Sequence, residues 1–155
     1  MKRIWAPWRI EYIKVANQTK GCIFCERKQF VLKETQNAFA MLNLFPYNPG
    51  HFMVAPKRHI KETTELTPEE LKEIFELINH GIEALKKEAN PDGFNIGVNI
   101  GKVAGAGFEG HLHFHVVPRW NGDTNFMPVI GEVRVVPEGI EKTFEKLKKY
   151  FEREE

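Results

Sequence analysis

The 155-residue chain has only two cysteines, Cys22 and Cys25, too few for the disulfide framework of a small secreted scaffold. Neither sign of charge is in excess: 22 basic residues meet 21 acidic ones, for a net charge of +1. The lack of a global basic field argues against a grip on nucleic acid that works mainly through electrostatics, and no nucleic-acid polymer is expected as a partner. No apolar run approaches the roughly 18–20 residues that span a bilayer. The opening Met1-Lys2-Arg3-Ile4-Trp5-Ala6-Pro7-Trp8 lacks the continuous apolar stretch of a signal peptide. Internal repeats, low-complexity tracts and Pro/Gly/Ser-rich linkers are also missing. What is there, 42% apolar and 28% charged residues, matches an ordinary globular chain. The expectation is a cytoplasmic protein without membrane association, folded as one domain over 1–155. It would have an N-terminal arm at 1–20, a core over about 21–136 and a C-terminal helix near 138–153, and its length suffices to bury a core.

The periodicity predicts a helix over 68–89. Thr67-Pro68-Glu69-Glu70 reads as a capping box with proline at the first helical position. Leu71, Ile74, Phe75, Ile78, Ile82 and Leu85 then recur at helical spacing, and Asn90-Pro91-Asp92-Gly93 stops the run. The helix near 138–153 carries Ile140, Phe144, Leu147 and Phe151 on one stripe. Strand-like patterns cover Ala38–Leu44, His51–Ala55, Phe94–Ile100 and His111–Val117. The link Phe45-Pro46-Tyr47-Asn48-Pro49-Gly50 is short enough for a hairpin and too short for a crossover, which points to an antiparallel α+β domain.

Five of the six histidines fall in two stretches, and the sharper is His111-Leu112-His113-Phe114-His115. Along a strand, side chains alternate faces, so the three imidazoles would share one face at spacings of about 6.6–6.8 Å. Three imidazoles are a poor choice for packing alone, because each carries a donor and an acceptor to satisfy. Two chemical readings stay open: a metal site built on His-x-His, or a nucleophilic histidine positioned by its neighbours. The small-residue loop from Asn99 to Phe108 leads into this strand. Its backbone N–H groups could cradle phosphate oxygens, which favours phosphate chemistry.

The pattern His-φ-His-φ-His-φ-φ, with φ apolar, resembles the histidine-triad (HIT) motif of nucleotidyl hydrolases and transferases. Asn43 through His51, Pro56-Lys57-Arg58-His59 and His115-Val116-Val117-Pro118-Arg119-Trp120 resemble HIT segments in the same order. Trp5-Ala6-Pro7-Trp8-Arg9 and Trp120 through Phe126 look like the branch that holds bacterial diadenosine tetraphosphate (Ap4A) phosphorylases and hydrolases. The likeness runs from Trp5 to about Val136. It implies a HIT-like fold with an antiparallel sheet of about five strands and two main helices, and commonly a homodimer.

The resemblance makes His113 the nucleophile, whose Nε2 attacks the α-phosphorus of a nucleotide to give a nucleotidyl-histidine intermediate. His115 would hydrogen-bond a phosphate oxygen, and His51 matches the family's fourth histidine. Gly105, Ala106, Gly107 and Phe108 would hold phosphate through their backbone, with the Asn99 side chain nearby. Asn43 sits where the family binds ribose hydroxyls, Leu44 and Phe45 would help form the base pocket, and Trp120 would cover the ligand. Each has a plainer reading as well: a strand-end turn for Asn43, and core packing for Leu44, Phe45 and Trp120. One departure stands out, since Gly107-Phe108 replaces the Gln and Ser/Thr that hydrolase members place before the triad.

Cys22-Ile23-Phe24-Cys25 is the other specific signal. A thioredoxin-like site needs a βαβ context that is missing here, whereas a zinc site needs two further ligands. His59 and one triad histidine are the candidates, and two free thiols are the plain alternative. In zinc-bearing HIT proteins the matching ligands would be Cys22, Cys25, His59 and His111, and the zinc would be structural. His80 has no partner by spacing and reads as a surface or packing residue.

The function expected is cleavage of nucleoside phosphoanhydrides, in Ap4A-like dinucleoside polyphosphates or adenylylated small molecules, through the covalent His113 intermediate. The alternatives are an Ap4A phosphorylase with inorganic phosphate as acceptor, a nucleotide-binding module with little turnover, and a metal enzyme that uses all three triad histidines as ligands.

Overall fold

The structure, a computed structural model, describes residues 21–27, 29–123 and 139–152. The expected arm at 1–20, the Trp5–Arg9 segment within it and the family-like stretch beyond Asp123 lie outside the described residues. In chain order the elements are a one-turn helix α1 (Ile23–Glu26), then β1 (Val31–Glu34), β2 (Ala38–Leu42) and β3 (Phe52–Pro56). They continue through a 3-10 turn (Thr63–Glu65), helix α2 (Pro68–Ala89), β4 (Gly93–Val98), a 3-10 turn (Lys102–Ala104), β5 (Phe114–Arg119) and helix α3 (Ile140–Glu152). The strands form one five-stranded sheet in the order β1-β2-β3-β5-β4, with every pair antiparallel.

Alternation along β2 and β3 divides the core between two sides of the sheet. Ala38, Ala40, Leu42, Phe52 and Val54 join Ile74, Leu77, Ile78 and Leu85 of α2 and Leu147 and Phe151 of α3. Phe39, Met41, Met53 and Ala55 point the other way and pack with Phe24 of α1. Because both faces are covered, β2 and β3 are buried throughout and read as apolar runs without alternation. The side away from α2 and α3 is therefore where α1 meets the histidines.

Helix α2 begins as its capping box predicts. Glu70 N donates to the Thr67 hydroxyl at 3.2 Å, and Thr67 N donates back to the Glu70 carboxylate at 2.9 Å. Arg58 adds two bonds to the same carboxylate, at 2.6 and 2.8 Å, so a buried acid is fully engaged. The buried stripe differs from the expected one. Leu71 and Phe75 are 44% and 46% exposed, while Leu77, Gly81 and Ala84 face the core. Two of those three are small, so an apolar count passed over them, yet small size is what the contact requires.

Strand β1 has only two apolar residues, Val31 and Leu32, beside Lys33 and Glu34, and the sequence pattern missed it. It is held through the turn at Thr35–Asn37, where the Asn37 amide and side chain both donate to Glu73 of α2 at 2.7 Å.

The expected histidine strand also begins later than predicted. Regular pairing starts at Phe114, so only His115 lies on β5, and His111 and His113 precede it. The reason is visible at the end of β3: Pro56 has no N–H to continue a ladder, and its carbonyl accepts from His111 Nε2 at 2.8 Å instead. Leu112 N still donates to Ile60 O at 2.6 Å, which keeps the segment extended beside the chain that follows β3.

Helix α2 comes close to the sheet at Gly81, where an added Cβ would come no further than 2.8 Å from three carbons of the buried Phe52 ring. Overpacking of this kind costs about 1–3 kcal/mol, against about 1 kcal/mol that alanine gains over glycine in a helix. Gly81→Ala is expected to lower stability by up to about 2 kcal/mol in urea denaturation; a stabilised variant would show that Phe52 yields without loss.

Candidate functional site

The three triad histidines have three different sets of partners. His113 is 3% exposed and its Nδ1 lies 2.8 Å from the backbone carbonyl of His111. A carbonyl can only accept, so Nδ1 carries the proton and Nε2 carries the lone pair. Nε2 makes no hydrogen bond among the described residues, and no fully buried side-chain nitrogen there lacks a partner, so Nε2 retains access to the outside. Burial pushes the His113 imidazole below the usual histidine range and keeps it neutral.

A second chain of tautomers starts from the backbone. The Tyr47 N–H donates to His51 Nδ1 at 3.0 Å, which leaves the proton of the neutral His51 ring on Nε2. That Nε2 lies 3.0 Å from His115 Nδ1 and donates to it. His115 then carries its own proton on Nε2, as a donor beside His113, with the two ring centres 4.9 Å apart. Burial first, and the neighbouring His113 second, bring His115 down to about 4.

His111 belongs to a separate cluster. With its Nε2 proton donated to Pro56 O, its Nδ1 lone pair faces Cys22 Sγ at 3.3 Å and Cys25 Sγ at 3.6 Å. His59 Nδ1 is 3.3 Å from Cys25 Sγ, and all four ligand atoms lie within 4.8 Å of one another. A tetrahedral ion with Zn–S near 2.3 Å and Zn–N near 2.0–2.1 Å requires S···N separations of about 3.6 Å. The spacing therefore suits a metal ion, and the Pro56 carbonyl supplies the outer hydrogen bond that fixes a ligating imidazole. Cys22, Cys25, His59 and His111 come together as the resemblance implies. A site that uses all three triad histidines as ligands does not form, because His113 and His115 are committed elsewhere.

The loop between β4 and β5 is built by its glycines. Gly101 and Gly105 sit at φ of 81° and 92°, a left-handed region that favours residues without Cβ. Gly105 N donates to Lys102 O at 3.0 Å and Ala106 N to Gly101 O at 3.4 Å, so these two expected phosphate donors are already used inside the loop. Asn99 is likewise engaged, donating to Gly105 O at 3.4 Å. The amides of Gly107 and Phe108 make no hydrogen bond among the described residues.

Asn43 accepts from Phe45 N at 2.9 Å, the strand-end turn expected as its plain reading, and its Nδ2 also approaches His51 Nε2 at 3.4 Å. Leu44 and Phe45 are exposed, so packing in the core is not their role. Trp120 lies at the far end of β5, five residues and about 17 Å along the chain from His115. There its Nε1 donates to Ala89 O at 3.2 Å and its ring borders a cavity of about 600 Å³ with Leu85 and Leu147. Within one chain Trp120 is not brought to His113. His80, read as a surface or packing residue, packs: it stacks on Phe151 at 4.7 Å and bonds Tyr150 O at 2.7 Å.

Sequence reasoning missed two aromatic contacts. The Tyr47 ring stacks on His51 at 5.0 Å, and the Phe24 ring stacks on His113 at 4.5 Å and 27°. The available signal for Phe24 was a large apolar residue inside a two-cysteine motif, a place where metal chemistry alone asks for none.

Comparison with known proteins agrees with this geometry. The model of the HIT domain matches residues 25–122. An AP-4-A phosphorylase from Mycobacterium tuberculosis is 37% identical, over 92% of this chain and 80% of that protein. A bis(5'-adenosyl)-triphosphatase from Dictyostelium discoideum is 33% identical over 60% of this chain and 62% of its own length. Among solved structures, a zinc-bound histidine triad family protein from Mycobacterium smegmatis superposes with a TM-score of 0.64 at 26% identity, covering 91% of each chain. With the histidine triad, a family model over most of the chain and a five-stranded antiparallel sheet shared with its structural neighbours, this protein belongs to the HIT domain family.

Proposed function

We propose that the protein is a nucleotidyl transferase that cleaves dinucleoside polyphosphates of the Ap4A kind, or adenylylated small molecules, through a covalent intermediate on His113. The observation that carries this reading is the His113 Nδ1–H bond to the His111 carbonyl, which leaves Nε2 as a neutral nitrogen nucleophile near pH 7. Nε2 attacks the α-phosphorus. As the Nε2–P bond forms, the bond to the bridging oxygen breaks and its electron pair departs with the polyphosphate. The ring keeps its Nδ1 proton and becomes a nucleotidyl-imidazolium. An acceptor oxygen then attacks the same phosphorus and returns His113 to its neutral form.

Other groups would act around that atom. The Nε2–H of His115 donates to a non-bridging oxygen, and the uncommitted amides of Gly107 and Phe108 suit phosphate binding better than those of Gly105 and Ala106. Fixed donors of this kind are worth about 2.7–4 kcal/mol each in other enzymes. Asn43 would hold ribose, with the exposed Leu44 and Phe45 against the base. Inorganic phosphate is the favoured acceptor, because the relative matched over 92% of this chain is named a phosphorylase.

Zinc is the metal proposed for Cys22, Cys25, His59 and His111, supported by the two-sulfur, two-nitrogen donor set and by a zinc-bound neighbour. It would act structurally: the chain fills all four positions and leaves none for an activated water. We also propose a homodimer. Strand β4 is a sheet edge, its Ile96 is 48% exposed, and Leu71 and Phe75 of α2 are exposed apolar residues. Phe75 stacks edge-on against Phe114, which pairs with Val98 of β4, so α2 and the edge form one apolar region. Among the described residues no helix is long and apolar enough to cross a membrane.

With Ap4A and phosphate the expected products are ADP and ATP, and the quenched protein should carry one nucleotidyl group on His113. AMP and ATP would assign the acceptor to water, while tight binding without products or adduct would favour a binding module. His113→Ala should lower turnover on the order of 1,000-fold or more. Elemental analysis is expected to find one zinc per chain, lost in Cys22→Ser; full zinc retention in that variant would remove Cys22 from the ligand set. In sedimentation the chain should run as a dimer and Ile96→Asp as a monomer, whereas a monomeric parent protein would refute the β4 interface.

A further inference from the structure

His113 needs more than a protonated Nδ1 to react. Its Nε2 lone pair must also point along the line of attack, and the terminal torsion of a histidine is broad. The bond to His111 O fixes one ring atom and leaves the ring free to tilt about that contact. What limits the tilt is two neighbouring rings. His115 approaches with its plane at 75°, and Phe24 lies almost parallel, its centroid 4.5 Å away at 27°.

Phe24 is itself held on all sides. It is 1% exposed, and it packs with Phe39, Met41, Met53 and Ala55 on the sheet face away from α2. Phe108 meets it edge-on at 6.0 Å, and the His111 ring lies 5.3 Å from it. The cysteines that flank Phe24 in sequence, Cys22 and Cys25, both point to the His59–His111 cluster, so the backbone on each side of the aromatic ring is tethered. A one-turn helix of four residues has little stability of its own, and these tethers keep its aromatic residue in register with the nucleophile.

We propose that Phe24 is a positioning residue for His113: its ring sets the plane of the imidazole, so that Nε2 faces the α-phosphorus and the thiol cluster acts on catalysis through this stack. The proposal rests on the reading of His113 as nucleophile and deepens it. The same contact has a second consequence. Once Nε2 is bonded to phosphorus the ring is a cation, and an aromatic face favours a cation over a neutral ring. Phe24 therefore helps the intermediate form as well as aiming the attack.

The test compares the full-length protein with Phe24→Leu, which keeps an apolar core residue and removes the flat face. Phe24→Met serves if the first variant does not fold. Phe151→Leu is the control, a comparable loss of buried aromatic surface with no contact to His113. Two measurements are made: single-turnover adduct formation from Ap4A across substrate concentration, and ring nitrogen and N–H resonances of His113 without substrate. In Phe24→Leu the maximal rate is expected to fall on the order of 10- to 100-fold, with half-saturation little changed. The Nδ1–H resonance should broaden and exchange faster, while Phe151→Leu leaves rate and resonance as in the parent. An unchanged rate and resonance in a folded variant would overturn the proposal. So would a loss confined to half-saturation, which would make Phe24 a wall of the ligand pocket. If the His113 resonance changes in Phe24→Leu but the parent protein never forms an adduct, the nucleophile reading fails: Phe24 then orients the His113 ring, and its role in the attack is overturned.

Discussion

One hydrogen bond organises the centre of this protein: the 2.8 Å contact from His113 Nδ1 to the carbonyl of His111. It spans only two residues, so its geometry depends entirely on where the His111 backbone is held. Three things hold it. The His111 ring reaches the Pro56 carbonyl at the end of β3, its other nitrogen faces the cysteine pair, and Leu112 N bonds Ile60 O. An imidazole buried in low dielectric stays neutral, and a neutral imidazole has one donor and one acceptor. Choosing which nitrogen donates is therefore the same act as choosing which one can attack.

The alternation of histidine with apolar residues looks uniform in sequence but divides three tasks among three rings. His111 faces the thiols, His113 is fixed by the backbone of His111, and His115 ends a relay that begins at the Tyr47 amide and runs through His51. Alternating with them, Leu112, Phe114 and Val116 join the core shared with α2 and α3. The segment thus binds the two sides of the sheet together. On one side are the long helices α2 and α3 with the larger core, and on the other are α1 and the chemistry. No polar side-chain atom buried among the described residues is left without a partner, which is the condition for placing so many imidazoles inside.

Much of this was legible in the residues. The capping box of α2, the hairpin between β2 and β3 and the antiparallel class follow from pattern, and the full set of four residues in the thiol cluster follows from the resemblance to HIT proteins. Most of the parts that were not legible depend on a partner distant in sequence. Strand β1 has too little apolar content to show a period and relies on β2 and Glu73. The core stripe of α2 keeps Ile74, Ile78 and Leu85 and adds Gly81 and Ala84, which carry weight through closeness rather than apolar bulk. The amides of Gly105 and Ala106 turned inward because the loop closes on itself, and Trp120 went to the end of α2 because β5 carries it away from the histidines. The role of Phe24 could be seen only once its ring lay on His113.

The central claim, two successive displacements at one phosphorus with His113 in between, has a stereochemical consequence. Each in-line displacement inverts configuration, so two restore it. The direct measurement is the configuration at the α-phosphorus after turnover of a substrate made chiral there with sulfur and oxygen isotopes. Two displacements through His113 give net retention; net inversion would mean that the acceptor attacks the substrate directly and that His113 forms no covalent intermediate.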